Sequence, residues 1–186
     1  MGKKFYTFLF LFGFFTVSAY SQVSLQLGFT NVYSIGKWTD YIDYSFGGGG
    51  GVEYTLPLDL GAAEFGVQLK SEFLVLIPTE SGYGAINDVT VLPGFFISVP
   101  FMLEKARVCA HPELACGADF HLATNEDGKK VYTDFLLYAA LPVRFQMPFL
   151  KMLELEFAPA YLFMFEKNHV LTQVGFRTGL VWRIYE

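Results

Sequence analysis

Three histidines are the side chains of this sequence best suited to acid–base chemistry near neutral pH. His121 lies two residues after Asp119. His169 follows Glu166 closely, and His111 lies in the segment AHPELA. An imidazole beside a carboxylate could activate a serine, but no G-x-S-x-G motif presents a nucleophile. We therefore predict no catalytic residue, no cofactor and no metal site.

Charged side chains alternate with apolar ones in the segment AEFGVQLKSEFLVL, residues 63–76. Such alternation places successive side chains on opposite faces of a β-strand. The same pattern, separated by segments rich in turn residues, recurs along the chain in eight segments, at about 22–32, 41–55, 63–76, 88–102, 114–123, 131–146, 151–165 and 171–185. Eight alternating strands joined by short turns predict an all-β fold, an eight-stranded antiparallel up-and-down barrel, because closure removes the sheet edges.

The apolar face of these strands is the one that we predict to point outward, into lipid. That face is nearly unbroken and rich in aromatic residues, while the polar face is rich in glycine, which suits a crowded interior. Strands of ten or more residues are also long enough to cross a bilayer at a tilt. The side chains predicted to line the lumen, with opposite charges pairing, are Glu64, Gln68, Lys70, Glu72, Asp119, His121, Asp134, Arg144, Glu154, Glu156, Arg177 and Arg183. The alternative is a soluble periplasmic, lipocalin-like barrel that binds a small apolar ligand inside.

The first 21 residues have the composition of a secretory signal peptide. Two lysines precede an apolar run over residues 5–17, and the small residues Ala19 and Ser21 stand where a signal peptidase would cleave. We therefore predict export, with residues 22–186 forming the barrel. A single membrane anchor is the alternative interpretation of this segment.

Cys109 and Cys116 flank the segment AHPELA, which the pattern predicts to be a turn. An even number of cysteines in an exported chain permits one disulfide, and free thiols are the alternative. Two thiols and His111 are too few ligands for a structural zinc site. The formal charge of −5 further argues against nucleic acid as a partner, since phosphate binding needs a basic face.

The sequence resembles the small eight-stranded outer-membrane barrels of the OmpX, OmpW and OmpA-barrel kind. The resemblance rests on the alternation over the mature chain, on the proline-containing strand YAALPVRF at 138–145, and on the C-terminal strand GFRTGLVWRIYE at 175–186. That last strand is similar to the outer-membrane assembly signal, although it ends in Glu186 rather than an aromatic residue.

The resemblance implies a place in the outer membrane and contact with its lipid and its assembly machinery. Together with the absence of a nucleophile motif, it leads us to predict a non-enzymatic role, either structural and surface-interacting, with host surface molecules as partners, or as a narrow channel for small or hydrophobic solutes. Side chains with lumen parity that could line an apolar path are Leu92, Phe96, Tyr132, Leu136 and Tyr138. Ordinary packing is the alternative for these five, and a lipid-modifying outer-membrane enzyme is the alternative for the whole protein.

Overall fold

The computed structural model describes residues 22–40, 42–58, 60–79, 84, 86–103, 106–125, 128–166 and 169–184. The predicted signal peptide lies outside these residues. Within them, no helix is long and apolar enough to cross a membrane.

The chain forms antiparallel strands joined in sequence order. They are β1 (Gln22–Ile35), β2 (Ile42–Thr55), β3 (Glu64–Pro78), β4 (Ile86–Leu103), β5 (Ala106–Ala110), β6 (Glu113–Asn125), β7 (Gly128–Ala140), β8 (Val143–Gln146), β9 (Leu153–Glu166) and β10 (His169–Ile184). A 3₁₀ turn, Gly36–Asp40, connects β1 to β2. The sheet closes because β10 pairs with both β9 and β1.

These strands form a ring of eight, since β5 with β6, and β7 with β8, are each two pieces of one strand. Phe96 of β4 pairs with Glu113 of β6, and Val99 pairs with Ala110 of β5, so the register runs through the gap unchanged. The predicted eight-stranded antiparallel up-and-down barrel is confirmed. We call the end of the barrel that holds Gln22 the base, and the opposite end, which holds Asn125, the mouth.

The two gaps within strands fall at prolines. Pro112 separates β5 from β6 and Pro142 separates β7 from β8, because a proline has no N–H to donate to a ladder. The wall stays continuous there: the His111 N–H donates to the Pro142 carbonyl at 2.8 Å. The prediction of a turn at AHPELA is therefore wrong, and the chain reverses earlier, between Leu103 and Ala106.

This course of the chain separates the two cysteines. Cys109, on β5, is buried, whereas Cys116, on β6, is exposed on the outer face, and both are free thiols. Seven residues of extended strand span roughly 23 Å, far more than the roughly 7 Å that a disulfide can bridge between Cα atoms. The structure thus contradicts the disulfide and agrees with the free-thiol alternative.

The strict alternation of inward and outward side chains is interrupted at the start of β2. The register with β3 shifts between Ile42 and Tyr44, which marks a β-bulge. As a result Ile42 points inward, at 2% exposure, while Asp43 is exposed. Strict alternation along β2 would instead place Ile42 outside and Asp43 in the lumen.

The exterior of the barrel wall is apolar. Outward side chains along all parts of the ring are large and exposed, among them Leu27, Phe29, Phe73, Phe176 and Trp182. The interior holds buried charges instead. A lipocalin-like barrel needs the opposite arrangement, and an apolar exterior of this extent is what a bilayer requires.

A close approach of β2 to β3 depends on glycine. A Cβ at Gly47 would overlap the Phe73 backbone, whereas a Cβ at Gly48 would meet only the Gly28 carbonyl oxygen, at 3.1 Å. We expect Gly47→Ala to lower the free energy of unfolding by about 1–3 kcal/mol, and Gly48→Ala by less. Urea unfolding of the refolded barrel in detergent micelles measures both. Equal losses would show that the close approach to the Phe73 backbone does not set the cost at position 47 and would contradict this prediction.

Candidate functional site in the barrel interior

The structure places the predicted lumen residues on the inner face of the wall. Those that are buried are Gln68, Lys70, Glu72, Asp119, His121, Arg144, Glu154, Glu156, Arg177 and Arg183. The side chains of Glu64 near the base and Asp134 toward the mouth keep 27% and 20% exposure. These residues fall into an ion-pair network in the base half of the lumen and a smaller cluster toward the mouth.

Arg144 is the centre of the ion-pair network. Its Nη1 and Nη2 donate to the two carboxylate oxygens of Glu53, at 2.8 and 2.7 Å, in a bidentate pair. Its Nε donates to Glu156 at 2.9 Å. Glu53 also contacts His111 Nε2 at 2.9 Å and accepts from Gln26. One guanidinium thus binds two buried carboxylates that come from β2 and β9, and Glu156 Oε1 remains without a hydrogen bond.

Two further cations extend the network across the lumen. Arg177 lies 3.8 Å from both Glu72 and Glu156, so it links β10 to β3 and β9. Lys70 pairs with Glu113, and its Nζ lies 5.5 Å from the centre of the Tyr138 ring. Both cations are almost completely buried. The direct contact of Lys70 with Glu113 offsets its desolvation, whereas Arg177 Nε and Nη1 make no hydrogen bond.

The base of the lumen carries a looser set of charges. Arg183 Nε lies 3.0 Å from Glu154, and its Nη1 lies 3.5 Å from Glu64. Arg107 reaches the same Glu64 at 3.9 Å, with 34% of its own side chain exposed. Solvent reaches the Arg107–Glu64 pair, whose contribution to stability is expected to be small, whereas Arg183 and Glu154 are buried.

An apolar cluster fills the lumen beyond the ion-pair network. Most of its members lie in the halves of their strands nearer to the mouth, and it consists of Val32, Ile42, Leu74, Leu76, Leu92, Ala115, Leu136, Tyr138, Ala160, Leu162 and Met164. None is more than 4% exposed.

Four of the five side chains predicted to line an apolar path are instead packed in the interior. Leu92, Leu136 and Tyr138 belong to the apolar cluster, and the ring of Phe96 stacks on that of His111, with 4.3 Å between the ring centres. Tyr132 is 49% exposed and does not belong to the cluster.

The cluster toward the mouth combines one imidazole with three carboxylates. His121 Nδ1 lies 2.7 Å from Asp88 Oδ1, and Nε2 lies 3.2 Å from Asp134 and 3.8 Å from Asp119. The four residues come from β4, β6 and β7, and the register sets Asp119 directly opposite Asp134. We call these four residues the mouth cluster.

Sequence reasoning missed three functional side chains that the structure reveals. Glu113 shares the parity of Asp119 and His121, so alternation could have placed it in the lumen. Asp88 shares the parity of Thr90 and could have been found in the same way. The inward position of His111 could not have been predicted in this way, because the sequence around it is typical of a turn. That position depends on the strand register, which continues unchanged across Pro112.

The chain matches no protein-family model, and no curated protein matches its sequence. Its fold is similar to that of Neisserial surface protein A, with a TM-score of 0.52 and 10% identity, over 87% of this chain and 96% of that one. It is also similar to a major outer membrane protein from Thermus thermophilus, with a TM-score of 0.55 and 13% identity, over 89% of this chain and all of that one. At such identities the likeness concerns the fold alone. The chain has the fold of the small outer-membrane β-barrel proteins, as its resemblance to them implied.

Proposed function

We propose that this protein is exported by its N-terminal segment to the outer membrane and serves there as a closed, non-enzymatic barrel. Its role is structural and surface-interacting, and its lumen is not a path for solutes. The observation that carries the proposal is the filling of the lumen. The largest side chains with less than 2% exposure include inward-facing Arg144, Arg177, Tyr138, Lys70, Phe96, Leu76, Leu92 and Leu136.

A solute crossing this interior would meet two barriers in series. It would first have to separate buried ion pairs such as Arg144–Glu53, and leaving one partner of such a pair alone costs about 3–5 kcal/mol. It would then have to displace the apolar cluster, whose packing leaves its members almost without solvent contact. An interior of eight strands is about wide enough for side chains to fill, so these barriers agree with the size of the ring.

The outer-membrane location is supported by the apolar exterior and by the likeness of the fold to outer-membrane proteins. Outer-membrane lipid is the partner that an apolar wall requires. We further propose that the assembly machinery inserts the chain into the outer membrane. The mouth of the barrel contacts host surface molecules.

The experiment that tests the closed lumen is conductance of the refolded protein in a planar bilayer. We expect no stable conductance steps from the natural chain. The triple variant Leu92→Ala, Leu136→Ala and Leu162→Ala removes volume from the apolar cluster and should raise conductance or leakage of small ions.

A matched triple variant, Leu25→Ala, Leu69→Ala and Leu180→Ala, removes the same volume from the exposed outer face. This variant should show no conductance in the planar bilayer. Stable conductance steps from the natural chain, with the correct folded mobility on an unboiled gel, would refute the closed lumen and favour the narrow channel instead.

A further inference from the structure

One ring nitrogen of the mouth cluster makes no hydrogen bond. His121 Nε2 is buried and makes no hydrogen bond. Its ring is fixed from the other side, where Nδ1 lies 2.7 Å from Asp88 Oδ1, at a length typical of a hydrogen bond. When Nδ1 carries the proton and donates it to Asp88, Nε2 presents an unshared electron pair.

One of the two carboxylates that face Nε2 is also incompletely hydrogen-bonded. Asp119 is 2% exposed, and its Oδ1 has no hydrogen-bond partner. Asp119 Oδ2 and Asp134 Oδ2 lie 3.8 and 3.2 Å from Nε2. Among the side chains that the structure describes, no lysine or arginine pairs with Asp88, Asp119 or Asp134. The imidazole and two carboxylates therefore converge, and none of the lysines or arginines whose side chains are described lies between them.

We propose that the mouth cluster binds a divalent transition-metal ion of the Zn²⁺ type. His121 Nε2, Asp119 and Asp134 are the ligands, and Asp88 is the positioning residue that holds the imidazole. Zinc bound to nitrogen and oxygen at about 2.0–2.2 Å in a tetrahedron separates its ligand atoms by roughly 3.4 Å. The distances of 3.2 and 3.8 Å around Nε2 match that separation. Exposure of Asp134 and part of His121 leaves solvent to reach the ion and complete its coordination.

The pairing of a ligand histidine with a second carboxylate supports this assignment. Histidines that bind metals usually donate their other ring N–H to a carboxylate or carbonyl, which orients the ring and strengthens the ligand. Asp88 stands in that relation to His121. The imidazole also decides the class of ion, because Ca²⁺ and Mg²⁺ prefer oxygen ligands throughout.

A second group of the same composition provides a contrast within the lumen. Glu53, His111 and Glu113 bring one imidazole and two carboxylates within 4.8 Å of one another, as His121, Asp88 and Asp119 do in the mouth cluster. There, however, Glu53 is held by Arg144 and Glu113 by Lys70, so protein cations already occupy the space that a metal ion would take. In the mouth cluster, by contrast, no lysine or arginine with a described side chain occupies that space.

Calorimetric titration of the refolded full barrel with Zn²⁺, in detergent micelles without chelator, tests the proposal. We expect one ion per chain, and weaker binding of Ca²⁺ and Mg²⁺. Asp88→Asn should weaken Zn²⁺ binding about 10–100-fold, because it removes the support of the ring. His121→Gln and Asp119→Asn remove ligands and should weaken it further.

Two histidine variants are the matched controls. His111→Gln alters the similar group in the base half, and His169→Gln alters the histidine at the start of β10. Both should bind Zn²⁺ like the natural chain. Each variant is first shown to be folded by its mobility on an unboiled gel and by far-ultraviolet circular dichroism. Absence of binding by the folded natural chain, or binding that survives in folded His121→Gln and Asp119→Asn, would overturn the proposal. Neither result depends on whether the lumen conducts.

Discussion

Replacement of Arg144 by leucine should lower the free energy of unfolding by about 3–5 kcal/mol. The side chain is 1% exposed and is the shared partner of Glu53 and Glu156. Without it, two carboxylates at 1–3% exposure would lose their shared counter-charge and most of their hydrogen bonds. Removal of one partner from a buried pair is much more damaging than the net value of the pair, because the remaining charge stays desolvated.

Urea unfolding of the barrel in detergent or lipid micelles measures this loss. Arg107→Leu is the matched control, because it removes a guanidinium whose pair with Glu64, at 3.9 Å, is solvent-exposed. It should change stability by less than about 1 kcal/mol. The double variant Arg144→Leu with Glu53→Gln should be less destabilised than the two separate losses added together, since the charges act as one unit. If Arg144→Leu lowers the free energy of unfolding as little as Arg107→Leu does, water solvates the lumen. That result would contradict the proposal of a closed interior.

The strands and their faces could be predicted because alternation is a local property of the chain. In β3, for instance, Gln68, Lys70 and Glu72 are inside and Leu69 and Phe73 are outside, as the period of two requires. The same rule failed where the backbone leaves the regular pleat. At the bulge near Ile42, one extra residue reverses the face, and a single sequence carries no sharp signal for it.

Contacts across the lumen could not be predicted from the sequence. Glu53 and Arg144 are 91 residues apart, and their meeting depends on how far the ring is sheared when it closes. The mouth cluster is a second set of contacts that the sequence could not predict in full. The spacing of Asp119 and His121 places both on one face, but Asp88 and Asp134 join them only through the registers of β6 with β4 and β7.

Replacement of Phe176 by arginine should destabilise the barrel by about 2–4 kcal/mol if its wall faces lipid. Phe176 lies at the middle of β10, on the outer face, with 44% exposure, and its ring lies 6.4 Å from that of Phe157. A guanidinium there would sit near the centre of the bilayer, where no water can solvate it. In a barrel surrounded by water, the same exposed position would tolerate arginine with little change.

Depth along one strand provides the control for this prediction. Ile184 shares the outer face of β10 with Phe176, has 39% exposure, and is the last residue of the strand at the base. Ile184→Arg should change stability by only about 0–1 kcal/mol, because its charge reaches the interfacial water. The two variants are compared by reversible unfolding in lipid vesicles. A large loss at Phe176 with a small loss at Ile184 places the middle of β10 in hydrocarbon, whereas equal small losses would exclude a transmembrane wall. Equal large losses would indicate a general intolerance of arginine on this strand, and the depth dependence that a bilayer imposes would be contradicted.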